Sequence, residues 1–83
     1  MTDPQTDPHS DLAGEEERQM LWRALDRLPE KERMAVVLRD IEGLTTTEVA
    51  EILGFSETTV RSQISRGRVR MKEAIDQMTG GSR

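Results

Sequence analysis

The chain reads as all-α: a small four-helix domain ending in a helix-turn-helix. Apolar residues recur at three- and four-residue spacing, and no run alternates with the period of two that a half-buried strand requires. Pro29, Gly43 and Gly54 break that pattern into four segments. The stretch 45–70 supplies the last observation. It holds a short helical segment, a glycine turn and a longer basic segment, with Ala50, Gly54 and Val60 at helix-turn-helix spacing.

Eighty-three residues allow one small domain of modest stability. With no cysteine there is neither a disulfide framework nor a thiolate metal site, which fits a reducing, cytoplasmic compartment. The single histidine, His9, has no partner at ligand spacing and reads as a solvated residue, so no metal and no cofactor are expected. No apolar run approaches the roughly 20 residues of a membrane span, and no signal-peptide pattern appears. Net charge is −4, which by itself argues against a nucleic-acid partner. The distribution of that charge argues the other way. Residues 1–53 carry 13 acids against 6 bases, whereas residues 54–83 carry 3 acids (Glu57, Glu73, Asp76) against 6 bases. A basic stripe on an acidic body binds a polyanion in one orientation only.

Residues 1–14 hold Pro4, Pro8 and three aspartates, and read as a disordered tail or linker remnant. The folded domain is expected over 15–78. Its first helix runs from about Glu15 to Leu28, with Leu21, Leu25 and Leu28 on its apolar stripe and Trp22 in the core. Pro29 then stands as first residue of the second helix. Met34, Val37, Leu38 and Ile41 form that helix's buried face, Lys31, Arg33, Arg39 and Asp40 its wet one, and Gly43 ends it. Thr45 with Glu48 three positions later is a capping box that opens the third helix. Gly54 takes the positive φ of the turn, Phe55 plugs the corner, and Ser56 caps the fourth helix. At about 100° per residue, Val60, Ile64, Gly67, Met71, Ala74, Ile75 and Met78 share one arc. Thr58, Arg61, Ser62, Ser65, Arg66, Val69 and Lys72 share the opposite one. The last residues, 79–83, form a flexible end.

That outward arc carries the only chemistry the chain offers. A helix fits the major groove, where guanine presents paired acceptors that an arginine fork meets with two donors. Arg61 and Arg66 supply such forks. Thr58, Ser62 and Ser65 are short enough for close approach and reach a base edge, a phosphate or a thymine methyl. Thr46 and Thr47, at the start of the third helix, suit phosphate contacts, and Arg39 anchors a phosphate from the side. Such a face taken alone is more often plain solvated surface; the glycine turn and the spacing shift the odds. Glu57 runs against the trend, since an acid there repels phosphate unless it accepts from a cytosine amino group. No phosphate loop and no nucleophile beside a base appear, so no enzymatic activity is expected.

With these residues in view, the segment ALDRLPEKERMAVVLRDIEGLTTTEVAEILGFSETTVRSQISRGRVRMKEAI resembles region 4 of bacterial RNA polymerase sigma factors of the extracytoplasmic-function group. The shared series is Leu25, Leu28, Pro29 and Arg33, then Leu38, Gly43, Glu48, Ala50 and Leu53. After these come Ser56, Thr59, Val60, Ser62, Arg66 and Arg68. The resemblance implies recognition of double-stranded promoter DNA at the −35 element, docking on the β-flap of core RNA polymerase, and capture by an anti-sigma factor. It places base contacts on Arg61, Ser62, Ser65 and Arg66, and backbone contacts on Arg39, Thr46, Thr47 and Thr59. Gly67 departs from the alanine usual between the arginines, at a cost in helix propensity of roughly 1 kcal/mol that close packing would offset. With no upstream sigma domain in this stretch, the expectation is either an excised C-terminal domain or a stand-alone protein that cannot start transcription alone, and the linker-like residues 1–14 favour excision. Two other readings stand beside this one. The output domain of a response regulator has a similar pattern but binds palindromic sites as a dimer. A protein-interaction module would use the same surfaces without DNA. A monomer on an asymmetric site is the expectation.

Overall fold

The computed structural model describes residues 8–80, with side chains described from residue 14 onward. Four α-helices follow one another: α1 (Pro8–Asp26), α2 (Glu30–Val36), α3 (Thr46–Leu53) and α4 (Glu57–Met78). A π-helical turn, Val37–Ile41, continues α2. No strand occurs among the described residues, and the all-α expectation is met. Helix α1 begins at Pro8, ahead of the expected Glu15. Proline suits a helix start because its missing N–H would be unsatisfied there anyway. Residues 1–7 of the expected tail and 81–83 of the expected flexible end lie outside the described residues.

The helix ends follow the local chemistry. Leu28 N–H reaches back to the Leu25 carbonyl at 3.0 Å, closing α1 in a tight turn. Pro29 adopts extended backbone (ψ 149°) and caps α2 from outside, one residue short of the expected role as first helical residue. The capping box forms as expected: Glu48 N–H donates to Thr45 Oγ1 at 3.1 Å, and Thr45 N–H donates to Glu48 Oε1 at 2.8 Å. Gly54 closes α3 with φ +77°, donating to the Ala50 carbonyl at 2.8 Å. Ser56 Oγ accepts from Thr59 N–H at 3.1 Å and starts α4.

Two apolar clusters hold the helices together, and α4 belongs to both. Ala24, Leu25, Leu28 and Val36 meet Met71 and Ala74 in the first. Ala35, Val49 and Ala50 meet Val60 and Ile64 in the second, with Phe55 packed at its margin and Lys31 Nζ 5.4 Å from the Phe55 ring centre. The α4 arc read from spacing is therefore the buried one. The α2 face is not. Ala35, Val36 and the carboxylate-bearing Glu32 are buried there, Val37 and Leu38 only half-buried, and Met34 and Ile41 exposed. From Val37 the backbone bonds i to i+5, Glu42 N–H donating to the Val37 carbonyl at 2.9 Å, so the 100° step fails across this turn. Trp22 also lies outside, 47% exposed, where the core expected it, and Ile52 on α3 is 59% exposed. Smaller neighbours, Ala24 on α1 and Ala50 on α3, hold the contact points instead and let the helices approach closely.

Closest approach falls at Gly67. A Cβ there would stand 2.6 Å from Val36 Cγ2 and 3.3 Å from the Glu32 carbonyl oxygen. Val36 is buried and stiff at χ1, so it has no room to yield. Gly67→Ala gains about 1 kcal/mol of helix propensity, but overpacking of this kind costs about 1–3 kcal/mol. Net destabilisation of about 1 kcal/mol is expected in urea unfolding, with Val36→Ala in the same chain recovering part of the strain.

Candidate nucleic-acid interface

The site is built on the two short-linked helices α3 and α4. Gly54 turns the chain sharply enough that the α3 N-terminus and the first three turns of α4 open on one side. Thr58, Arg61, Ser62, Ser65 and Arg66 are all exposed along that face of α4, as expected. A shallow cleft beside it gathers Arg39, Thr46, Arg61, Ile64, Ser65, Arg68 and Val69. Three guanidinium groups from the π turn and from α4 thus share one concavity with a hydroxyl from α3. Arg39 is held there by donating Nη1–H to the Leu44 carbonyl at 3.1 Å.

The arrangement differs from the sequence expectation in three respects. Arg66 does not join the cleft. It lies on the other flank of α4, its Nε 3.4 Å from Glu32 Oε2, and Arg70 Nε stands 2.8 Å from Glu32 Oε1. The latter is an ion-pair approach rather than a directed hydrogen bond, so Oε1 lacks a well-aligned donor. Thr47 and Thr59 are exposed, but both hydroxyls are engaged within the domain. Thr47 Oγ1 donates to Glu57 Oε2 at 2.7 Å, and Thr59 Oγ1 accepts from Ser56 Oγ at 3.0 Å. Arg68, absent from the expected set, lines the cleft. Seven residues from Arg61, it returns to nearly the same side of the helix, a signal the sequence did carry.

Electrostatically the basic face is pre-paired with acids. Arg61 Nη2 lies 3.3 Å from Glu57 Oε1. Arg68 grips Asp40 with two donors, Nε to Oδ2 at 2.9 Å and Nη2 to Oδ1. That fork holds the Asp40 carboxyl below its usual range, mainly through the hydrogen bond, and raises Arg68 above its own. Because the folded value is depressed, the pair's contribution is complete above the ordinary aspartate value near 4 and is lost as pH falls below it. Both side chains are partly exposed, so the contribution is about 0.2–1 kcal/mol. Asp40→Asn should therefore lower stability by that amount at neutral pH and by progressively less as pH falls below about 4, as denaturant midpoints across that range will show. Among the described residues no group of three or more histidine or acid side chains converges to hold a metal ion, and no helix is long and apolar enough to cross a membrane.

A glycine-cornered pair of helices, the second presenting arginines and short hydroxyls outward, defines a helix-turn-helix domain. The Sigma-70, region 4 family matches residues 18–71, and the chain belongs to that family. Over 71 residues it is 42% identical to the ECF RNA polymerase sigma-E factor of Escherichia coli (strain K12), and equally to that of Salmonella typhimurium (strain LT2); this covers 86% of the chain. Over 55 residues, 66% of the chain, it is 49% identical to the ECF RNA polymerase sigma factor SigE of Mycolicibacterium smegmatis. The aligned part amounts to 35% of the length of the first two relatives and 21% of the third.

Proposed function

We propose that this chain recognises the promoter −35 element as the C-terminal DNA-binding domain of an extracytoplasmic-function sigma factor. The observation that carries the proposal is the membership of residues 18–71 in the region 4 family, on a fold whose α4 keeps its arginine-and-hydroxyl face outward. In this reading α4 enters the major groove. Arg61, Ser62, Ser65 and Arg66 face base edges, with Thr58 at the groove entrance. Arg39, Thr46 and Arg68 border the cleft along which a phosphate backbone would pass, and Thr47 and Thr59 lie at its margin. Arg61 meets Glu57 through Nη2 alone and keeps its other donors for a base, and magnitudes make the base its stronger partner. An exposed ion pair is worth about 0.2–1 kcal/mol, whereas a bidentate arginine–guanine contact contributes about 1–3 kcal/mol. The acid-rich remainder of the chain repels DNA and selects the orientation.

Core RNA polymerase, through its β-flap, and an anti-sigma factor are the proposed protein partners, and the domain acts in the cytoplasm as a monomer with no enzymatic activity of its own. Selection from randomised duplex DNA, with and without core polymerase, tests this. An asymmetric motif recovered by the chain and sharpened by polymerase supports the proposal. A palindromic motif bound by a dimer points to a response-regulator-like output domain, and failure to bind any duplex at low salt removes the DNA-reading role.

A further inference from the structure

We infer that Glu57 is a positioning residue for sequence discrimination, its carboxylate anchored by Thr47 and holding Arg61 at the reading face. The inference rests on the DNA-binding proposal above. The two carboxylate oxygens do different things. Oε2 accepts from Thr47 Oγ1 on α3 at 2.7 Å, and Oε1 meets Arg61 Nη2 one turn along α4 at 3.3 Å. A single acid thus ties both helices of the motif together at their open end. It also restrains the long side chain that would otherwise lose most freedom on meeting a base. Arg61 is 64% exposed and Glu57 41% exposed at the side chain, so the contact sits at the surface DNA would cover.

An acid at this place is otherwise unfavourable for a DNA-binding face, because it opposes phosphate. Here that opposition serves the same end as the restraint. Orienting Arg61 strengthens binding where a base presents paired acceptors to it. A fixed negative charge weakens binding to any backbone that lacks such a base. Both effects widen the gap between a cognate site and random DNA. The Thr47 hydroxyl, already donated to Glu57, acts as the anchor of this device rather than as a phosphate contact.

The test uses the 83-residue chain and two duplexes of equal length, one recovered by the wild type from a randomised pool and one of scrambled sequence. Glu57→Gln keeps the shape and the Ser56 cap but removes the negative charge and leaves one acceptor oxygen where Thr47 and Arg61 now use two. It should bind the scrambled duplex roughly two- to fivefold more tightly, one acid fewer facing phosphate. The selected-to-scrambled ratio should fall about tenfold. Arg61→Ala should also collapse that ratio, and combining the two changes should lower it no further than Arg61→Ala does. Thr47→Val should reduce the ratio by a smaller factor and leave scrambled binding unchanged. A purely structural tie would instead lower the unfolding midpoint and weaken both duplexes alike. The inference is overturned if Glu57→Gln leaves the ratio unchanged, if its effect multiplies with that of Arg61→Ala, or if Thr47→Val weakens both duplexes equally. A wild type that recovers no preferred sequence removes the DNA-reading proposal and this one with it; a discriminating wild type with an indifferent Glu57→Gln removes only this one.

Discussion

Leu25→Ala is expected to lower the unfolding free energy by about 2–5 kcal/mol, enough to leave a large fraction of the chain unfolded at physiological temperature. Leu25 has no solvent exposure and sits where α1, α2 and α4 converge with Leu28, Val36 and Met71. The lost transfer energy and the cavity left behind add, because close-packed neighbours relax only partially around a deleted side chain. A domain of this size has little to absorb the loss, because its second cluster is built on the same α2 and α4. Denaturant unfolding at constant slope measures it, and a cost under about 1 kcal/mol would mean that the α1 cluster collapses to fill the site.

Removing both Arg61 and Arg66 is expected to reduce affinity for a selected −35 duplex by about a hundredfold or more, each fork accounting for roughly tenfold or better. The structure divides that loss unequally. Arg61 lies in the cleft with Arg39 and Arg68, whereas Arg66 turns toward Glu32. Arg61→Ala should therefore give the larger drop and relax preference at one position. Arg66→Ala carries a stability cost besides, since it leaves the 7% exposed Glu32 with Arg70 alone. Equilibrium binding should be read beside the unfolding midpoint to separate the two. Arg39→Ala should weaken selected and scrambled duplexes alike and flatten the salt dependence. An untouched affinity after the double change would place the reading face elsewhere.

Much of this was present in residue order, and the exceptions have physical reasons. Caps, glycine corners and the α4 arc are local devices: Thr45 with Glu48, Gly54, and Ser56 act within a few residues, so adjacent letters determine them. The buried face of α2 depends on two things that no local pattern carries. One is a π turn that resets the helical step after Val37. The other is a distant glycine, Gly67, that lets α2 come close enough for Ala35 and Val36 to be the contacts. Glu32 was hidden for a related reason. Between Lys31 and Arg33 it reads as surface, yet the crossing buries it and supplies Arg66 and Arg70 as partners. Gln63, also buried, lies three residues after Val60 at the edge of the buried arc, but its polarity keeps it out of an apolar pattern. The reading face was visible as a set of residues. The pairing of Arg66 with Glu32 and of Arg68 with Asp40, acids on other elements, was not.

Helix α4 runs through both apolar clusters, 22 residues or about 33 Å of unbroken rod. Its Met71–Ala74 end is seated in α1, while its Arg61–Arg66 end is left to face outward. The angle at which the arginines are offered is thus set along the whole rod, by α1 and α2 residues against Met71 and Ala74 and by α2 and α3 residues against Val60 and Ile64. A repacking of α1 that leaves the domain folded would tilt the rod and change how the surface meets a duplex without altering a single residue on it. The residues that set the angle of this helix and the residues it exposes are different ones, so each set can change without the other.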